Sequence, residues 1–186
     1  MVSLGSLWLP VLLSAVLVFI VSALVHMVLK YHNSDYTRIP DEDAIRSVLR
    51  KVAPAPAQYI IPHCAEMKQM ETPEMKQKFT EGPVAVINIM RPGVPNMGRP
   101  LTYWFLFSLI VSLFIAYVAS RSIPAGARYL EVFRIVGAVG FLAYAAALAP
   151  PSIWMGKPWK ITWKEMFDGL LYGLVTAGTF GWLWPR

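Results

Sequence analysis

The chain has a single cysteine, Cys64, among its 186 residues. One thiol cannot form a disulfide within the chain, so nothing in the sequence indicates an oxidising compartment. The sequence also lacks the C-x-x-C, H-x-x-H and H-E-x-x-H spacings of common metal sites, and it has no phosphate-binding loop or nucleophile elbow. It therefore favours a protein without catalytic activity, although it leaves that question open, and it predicts no cofactor.

Charged residues are also scarce. They make up 15% of the chain, against roughly 25% in soluble domains, while hydrophobic residues reach 56%. The net charge of +6 could suggest nucleic acid as a partner. In so apolar a chain, however, Lys and Arg have a simpler place beside lipid headgroups. We therefore expect the lipid bilayer as a partner and no nucleic-acid partner.

The apolar residues gather in four runs, and a bilayer core of about 30 Å needs roughly 20 apolar helical residues. The runs cover residues 7–29, 101–119, 132–149 and 169–184. The fourth is short, but it reaches the required length if residues 165–167 supply its first turn. No basic residue precedes the first run, so we expect it to be retained rather than cleaved as a signal peptide. The sequence predicts a mainly α protein that is an integral membrane four-helix bundle.

The stretch between the first two runs is the one hydrophilic segment long enough to fold. We predict an α/β extramembrane cap at residues 31–99, inserted between transmembrane helix 1 at residues 1–30 and helices 2–4 at residues 100–186. In the cap, "IPDEDAIRSVLRKV" and "TPEMKQKFTEG" predict helices, the second starting at the capping residue Thr72 and ending at Gly82. The β-branched segments "QYIIP" and "PVAVINIM" predict two short strands.

Charge and tryptophan placement predict the orientation. Thirteen of the 17 Lys and Arg residues fall on the side that holds residues 31–99 and the loop before the fourth run. By the positive-inside rule, that side is cytoplasmic. All seven tryptophans lie near a predicted membrane boundary, where indoles are enriched. Trp159 and Trp163 alternate with lysines and predict an interfacial helix at residues 157–167.

Small residues recur every four positions in two of the runs. The series are Gly169, Gly173, Ala177 and Gly181 in the fourth run, and Ser108, Ser112, Ala116 and Ser120 in the second. The G-x-G-x-x-G spacing of a dinucleotide loop is absent. Because lipid tails are as apolar as leucine, helices in a bilayer associate where small residues let their backbones approach. We predict tight packing seams, within the bundle or between protomers. The alternative is that glycine and alanine are simply common in membrane helices.

Ionisable residues inside a membrane are costly to bury and are functional candidates for that reason. His26 lies near the end of the first run and Asp168 at the start of the fourth, on the same side of a four-span protein. Asp168 could pair with His26 or Lys30 to move protons or bind a headgroup, or the pair could be structural. Glu131 and Arg134, three residues apart, predict a local helix pair on the opposite side.

A second group of candidates belongs to the predicted cap. His32, His63 and Cys64 are potential metal or haem ligands, with Asp35 and Glu66 near them in sequence. A metal site needs three or four converging ligands, and adjacent His and Cys side chains chelate one ion poorly. The alternative is a surface histidine beside a buried thiol.

At "YHNSDYTRIPDEDA", "GPVAVINIMRPG" and "DGLLYGLVTAGTFGWLWP" the chain resembles a family of uncharacterised bacterial inner-membrane proteins of similar length. The resemblance implies a four-helix membrane protein and no particular activity. Our leading hypothesis is a non-enzymatic assembly or accessory protein that acts as a homo-oligomer or with a membrane-complex partner. The second is a small transporter or channel using His26 and Asp168, and the third is a metal or redox protein using His63 and Cys64.

Overall fold

The computed structural model describes residues 2–186, which are mainly helical. In this part of the chain the helices are α1 Trp8–Ala23, α2 Glu42–Val52, α3 Met67–Met70, α4 Pro73–Glu81, α5 Gly98–Ser122, α6 Tyr129–Tyr144, α7 Pro150–Trp154 and α8 Trp159–Trp182, and the strands are β1 Gln58–Ile61 and β2 Ala85–Asn88. The chain divides into two compact units. The helical unit holds the residues up to Tyr36 together with Asn96–Arg186, and the smaller unit is Thr37–Pro95.

The four long helices α1, α5, α6 and α8 pack against one another in the helical unit. Among the described residues, three helical stretches are long and apolar enough to cross a membrane, namely Leu4–Leu29, Gly98–Ser122 and Tyr129–Trp154. Helix α8 is not among them, because charged residues such as Lys164 and Asp168 occupy its first turns. The structure thus supports a helical membrane protein with three candidate spans.

Helix α5 has the residue distribution of a helix surrounded by lipid. Its small side chains, including Ser112 and Ala116, are buried, whereas the large apolar side chains of Ile110, Leu113 and Phe114 are exposed. In the most apolar 18-residue stretch of α5, only 22% is buried inside the protein. A surface helix in water turns its large apolar residues inward, so this outward arrangement is suited to a bilayer.

The glycines of α8 lie against α6. A Cβ atom added at Gly173 would lie 3.1 Å from the Phe141 backbone nitrogen, and one added at Gly169 would lie 2.4 Å from the Tyr144 carbonyl oxygen. Ala177 continues the same contact, with its Cβ 3.4 Å from an added Cβ at Gly137. The glycine series therefore forms a packing seam inside the chain, where backbones approach as small residues permit.

The serine series of α5 packs against α1. Ser112 and Ser14 are both fully buried, and their hydroxyl groups are hydrogen-bonded to each other across the two helices. The Tyr144 hydroxyl of α6 donates to the Ser108 carbonyl oxygen at 3.4 Å. Small polar residues of this kind join helices in an apolar medium. Both series of small residues are thus in contact within one protomer.

The region before the fourth apolar run differs from our expectation. We predicted a separate interfacial helix at residues 157–167, and this is wrong, because α8 runs without a break from Trp159 to Trp182. Pro158 precedes its first residue, and no proline occurs inside it. Since nothing ends the helix at Phe167, the charged first turns and the apolar run belong to one rod.

The far end of α8 is closed by the C-terminal residues. The Trp184 indole nitrogen donates to the Pro124 carbonyl oxygen at 2.9 Å, and the Gly126 backbone nitrogen donates to the Pro185 carbonyl oxygen at 2.9 Å. The turn between α5 and α6 is therefore joined to the end of the chain. These contacts lie at the C-terminal end of α8, away from its first turns.

The smaller unit confirms the elements that its sequence predicts. Strands β1 and β2 pair antiparallel, from Gln58 opposite Asn88 to Ile61 opposite Ala85. Helix α4 begins after Thr72, whose hydroxyl accepts from a backbone N–H of the first turn at 3.3 Å, and it stops at a glycine with positive φ. The sequence did not predict the short helix α3. None of residues 37–95 is buried, so this unit has very little core.

Candidate functional site

A chain reversal after the first candidate span brings His32 to α8. Lys30 has φ 54°, the left-handed conformation that commonly ends a helix, and Tyr31–Ser34 form one 3-10 turn. This turn directs the chain back across the first residues of α8. His32 and Asp168 thereby meet although they lie 136 residues apart in sequence.

The imidazole of His32 lies between two carboxylates. Its Nδ1 is 2.5 Å from Asp35 Oδ2 and its Nε2 is 2.7 Å from Asp168 Oδ2. The His32 side chain is 15% exposed, and each Asp side chain is 5% exposed. Since a carboxylate oxygen and a ring nitrogen approach this closely only across a hydrogen bond, one proton lies in each contact. The ring therefore joins the turn to α8 through two buried hydrogen bonds.

Lys164 completes the network from the preceding turn of α8. Its ammonium group donates to Asp35 Oδ1 at 2.6 Å, to the Tyr31 carbonyl oxygen at 2.8 Å and to Ser34 Oγ at 2.9 Å. Burial alone would raise the pKa of the Asp35 carboxyl, but the hydrogen bonds from Lys164 and His32 bring that pKa below its ordinary value of 3.8. Asp35 is therefore a carboxylate held between two donors.

His26 stacks against one face of the His32 ring. The two imidazoles are parallel, with centroids 4.6 Å apart and planes 4° from each other. His26 belongs to the π-helical segment Leu24–Leu29, and its Nδ1 is 3.0 Å from the Ser22 carbonyl oxygen one turn earlier. One side-chain atom each of His26, His32 and Asp168 lies within 4.8 Å of the other two. Such π-helical turns are frequent at functional sites.

An apolar cavity of about 610 Å³ begins at this cluster. It lies among α1, α5, α6 and α8, and residues of all four helices line it. Its wall is mostly aromatic and aliphatic, with Phe19, Leu101 and Phe107 among the apolar members. His26 and Asp168 belong to the wall, so the polar cluster opens into an otherwise apolar space. This combination is typical of a small-molecule site.

Three buried polar atoms that belong to residues of the cavity wall have no hydrogen-bond partner among the described residues. They are Asp168 Oδ1, Trp104 Nε1 and the Tyr172 hydroxyl oxygen. The Trp104 and Tyr172 rings lie 5.7 Å apart, so these two groups are neighbours. Ser22 approaches the Tyr172 hydroxyl but does not form a hydrogen bond with it. Buried polar groups are nearly always paired, so three in one wall indicate a place where a ligand's polar group can bind.

The structure brings His26 and Asp168 together, as the sequence suggested, but corrects the pairing. The hydrogen-bond partner of Asp168 is His32, whereas we expected His26 or Lys30. We had grouped His32 with the cap, together with His63 and Cys64. No local pattern links His32 to a residue so distant in sequence, and the reversal at Lys30 supplies the connection.

The other candidates have simpler surroundings. His63 is exposed and Cys64 is a half-buried free thiol, and the group of potential metal ligands found among residues 2–186 contains neither of them. Glu131 pairs with Arg128 at 2.7 Å, whereas we predicted Arg134. The reason is a capping interaction, since the Glu131 carboxylate also accepts from the Arg128 backbone N–H at the start of α6.

Comparison with protein-family models, with curated proteins and with solved structures finds no match. The resemblance to a family of bacterial inner-membrane proteins therefore stays a prediction from the residues. The function is inferred from the chemistry of the site alone.

Proposed function

We propose that the protein is a four-span integral membrane protein that binds an amphipathic small molecule in the cavity beside Asp168, without catalysing a reaction. The fourth span is α8, which follows α6 along its length: Gly169 touches Tyr144 at one end and Gly181 touches Tyr129 at the other. If α6 crosses the bilayer, α8 crosses beside it. The charged first turns of α8 then lie at the headgroup level.

The charges on α8 are compatible with that position. Lys157 and Glu165 form an ion pair close to the start of the helix. Asp168 shares a proton with His32, so its charge is compensated before the apolar part of the helix begins. Intramembrane ionisable residues that persist are paired in this way and mark functional sites. We keep two further parts in the proposal: the cytoplasmic side for residues 31–99, on the bias of Lys and Arg, and the bacterial inner membrane, on the family resemblance.

The wall of the cavity determines which molecules suit it. Asp168 Oδ1 is an acceptor, the Trp104 indole N–H is a donor, and the Tyr172 hydroxyl can serve as either. A protonated amine can donate to Asp168 Oδ1 and to the Tyr172 hydroxyl oxygen, and an alcohol can donate to Asp168 or accept from the Trp104 N–H. An anionic head, in contrast, meets a carboxylate. The aromatic side chains leave space for an apolar tail and favour a cationic head. The observation that carries the proposal is Asp168 Oδ1, which belongs to a residue of the apolar cavity wall and has no hydrogen-bond partner among residues 2–186.

A transporter must first bind its ligand, and this proposal keeps that binding step from the transporter hypothesis. A wall so apolar suits capture of a molecule from the lipid better than conduction of an ion. The assembly hypothesis stays open as an accessory role, in which the bound molecule is presented to a partner. An oligomer would need a surface other than the two small-residue seams, because both are occupied within the chain.

The test compares three ligands with the same tail and different heads: dodecylamine, dodecanol and dodecanoate. The full chain is placed in phosphatidylcholine nanodiscs, and binding is followed by the tryptophan fluorescence, to which Trp104 in the cavity wall contributes. We expect the amine to bind tightest, the alcohol next and the carboxylate at least tenfold more weakly than the amine. A hydrogen bond to a charged group contributes about 1.5–3 kcal/mol, which corresponds to tenfold or more in affinity.

Two conservative variants locate the binding. Asp168→Asn should lower the affinity for dodecylamine about tenfold, and Tyr172→Phe, which removes only a hydroxyl group, should lower it severalfold. Glu131→Gln, at the other end of the helical unit, is the matched control and should bind as the unaltered chain does. Equal binding of all three ligands, or amine binding unchanged in both cavity variants, would refute the proposal.

A further inference from the structure

The juxtaposition of His26, His32 and Asp168 has the properties of a metal site. We infer that these three side chains bind a divalent first-row transition metal ion, with Zn²⁺ as the reference ion. This inference goes beyond the binding of an amphipathic molecule and stands without it, since it rests on the ligand set rather than on the apolar wall. The two proposals share only Asp168 and the His26 face of the cavity.

The donor set is the first argument. Two imidazole nitrogens and one carboxylate oxygen suit zinc and its neighbours, whereas calcium and magnesium prefer oxygen ligands alone. Donor atoms at about 2.0–2.2 Å from a tetrahedral ion lie roughly 3.4 Å from one another. In this protein one donor atom of each residue already lies within 4.8 Å of the other two. Side-chain movements of about 1 Å, together with rotation of the two stacked rings, bring all three to one ion.

The second argument is that the Nδ1 atom of each imidazole already has a hydrogen-bond partner. His26 Nδ1 is 3.0 Å from the Ser22 carbonyl oxygen, which leaves Nε2 as the ligand atom. His32 Nδ1 is bonded to Asp35, which leaves its Nε2 facing Asp168. A metal-binding histidine characteristically donates its other N–H to a carbonyl or a carboxylate, which fixes the ring and raises its basicity. Here both histidines have such a partner.

Lys164 supports this arrangement through Asp35, the carboxylate that orients His32. Its ammonium group is 2.6 Å from Asp35 Oδ1 and also bonds to the Tyr31 and Ser34 oxygens, so the carboxylate that orients His32 cannot rotate freely. With Lys164 compensating Asp35, the charge on Asp168 is balanced by the proton that it shares with His32. A divalent ion that replaces this proton meets the Asp168 carboxylate and leaves one net positive charge, which an anionic fourth ligand can balance.

Binding exchanges one proton for one ion. The ion takes the place of the proton between His32 Nε2 and Asp168 Oδ2, and that proton leaves to the solvent, as it does when metals bind to protonated ligands. Asp168 Oδ2 is then the ligand oxygen, and Oδ1, buried and without a partner among residues 2–186, stays available to another group. The parallel rings of His26 and His32 must tilt toward a common point. His26 has room to do so because it lies on the cavity wall.

The remaining coordination position opens onto the cavity. His26 and Asp168 both belong to its wall, so a fourth ligand would approach from that side. Glu165 also lines the cavity, but its carboxylate is already paired with Lys157. Three protein ligands with one accessible position is the arrangement of zinc sites that bind exogenous molecules. A water molecule or the head of a small molecule can occupy it.

Cobalt(II) is the probe for the test, because its visible spectrum reports coordination. The full chain is stripped with a chelator in phosphatidylcholine nanodiscs and titrated with Co²⁺ alone. We expect one Co²⁺ per chain, the intense visible bands of tetrahedral cobalt, and displacement by Zn²⁺. His26→Ala should abolish the bands. Asp35→Asn, in a residue that orients His32 without touching the ion, should weaken affinity about 10–100-fold.

His63→Ala is the matched control, because it removes the one histidine outside the cluster, and it should retain the unaltered spectrum. His26 is the decisive variant, since its single hydrogen bond goes to its own helix and its loss should leave the thermal unfolding of the metal-free protein nearly unchanged. Absence of bands, bands that persist in His26→Ala, or bands lost in His63→Ala would each overturn the inference.

The two proposals fail separately. Tyr172→Phe should impair dodecylamine binding and leave the cobalt spectrum intact, while His26→Ala should remove the spectrum. Cobalt binding without any preference among the amphipathic ligands would leave the metal site standing and remove the proposed function. A preference for the amine without cobalt binding would do the reverse.

Discussion

Charged side chains pair near both ends of α8, but the two sets differ in burial and in the sequence distance that they span. At one end Asp168 and Lys164 join a network with His32 and Asp35, in which both carboxylate side chains are 5% exposed. At the other end, where the start of α6 meets the end of α8, Glu131 pairs with Arg128, whose side chain is 86% exposed. The first network spans more than 100 residues of sequence, and the second spans three.

The difference shows why the charges at only one end indicate function. An exposed pair three residues apart is formed by local geometry and is worth at most about 1 kcal/mol. A buried network exists only if the fold holds every member in place, because an unpaired buried charge is strongly destabilising. The end that carries this cost also holds an unpartnered oxygen beside a cavity, and that is where we place the binding site.

The largest expected effect tests the helix contact that supports the buried end. In Gly169→Ala the new Cβ would lie 2.4 Å from the Tyr144 carbonyl oxygen and 2.8 Å from the Ala145 Cα, and neither atom can rotate away. We expect the free energy of unfolding to fall by about 3 kcal/mol, as for a severe overpacking substitution. The measurement is reversible unfolding in mixed detergent micelles.

The control for that substitution lies nearer the other end of the same helix. In Gly178→Ala the new Cβ would lie 3.5 Å from the Tyr129 hydroxyl oxygen, an ordinary contact. Its stability should change by no more than about 0.5 kcal/mol. If the two alanine variants proved equally stable, the close approach of α8 to α6 would be wrong.

An intermediate effect is expected from Lys164→Met. This variant keeps much of the side-chain length but leaves Asp35 without its ammonium partner, and the Lys164 side chain is 27% exposed. We expect a loss of about 2 kcal/mol, below the full cost of breaking a buried pair because solvent reaches the site. Unfolding at neutral pH measures it.

Acid should narrow that difference. The pKa of the Asp35 carboxyl is lowered in the folded state, so the stability contributed by Asp35 is present above its ordinary value of 3.8 and is lost as the pH falls through the lowered folded value. The gap between the unaltered chain and Lys164→Met should therefore be full near neutrality and shrink below pH 3.8. A gap that widened in acid would contradict the assigned role of Lys164.

The smallest effect is expected at the exposed pair. Glu131→Gln removes the charge that faces Arg128 but keeps an oxygen for the backbone N–H at the start of α6. We expect only a small loss of stability, well below that of Lys164→Met, because an exposed helical pair contributes little. A loss as large as that of Lys164→Met would remove the distinction between the two ends.

Patterns along the chain were enough to predict the local elements. Thr72 and Gly82 mark the ends of a helix that the structure places at Pro73–Glu81, and the β-branched segments became β1 and β2. The small-residue series were recognisable because their spacing matches the turn of a helix. These features depend on residues within a few positions of one another.

The composition of the site was harder to predict. His26 and Asp168 attracted attention because each is ionisable within or beside an apolar run. Their common neighbour His32 was considered only as a potential metal ligand of the cap, because it lies in a polar stretch and its partner Asp168 is distant in sequence. The left-handed conformation at Lys30 places His32 beside α8, and no glycine at that position indicates it in the sequence.

The sequence by itself determined that this is an apolar, helical chain with small-residue faces, because composition and periodicity act through neighbouring residues and through the solvent that they prefer. Only the tertiary structure decided that the glycine face of α8 meets α6 and that His32 lies between Asp35 and Asp168. Those contacts depend on how the four long helices and the turn at Lys30 pack together. That fit is settled by packing over the whole helical unit, which no short stretch of sequence encodes.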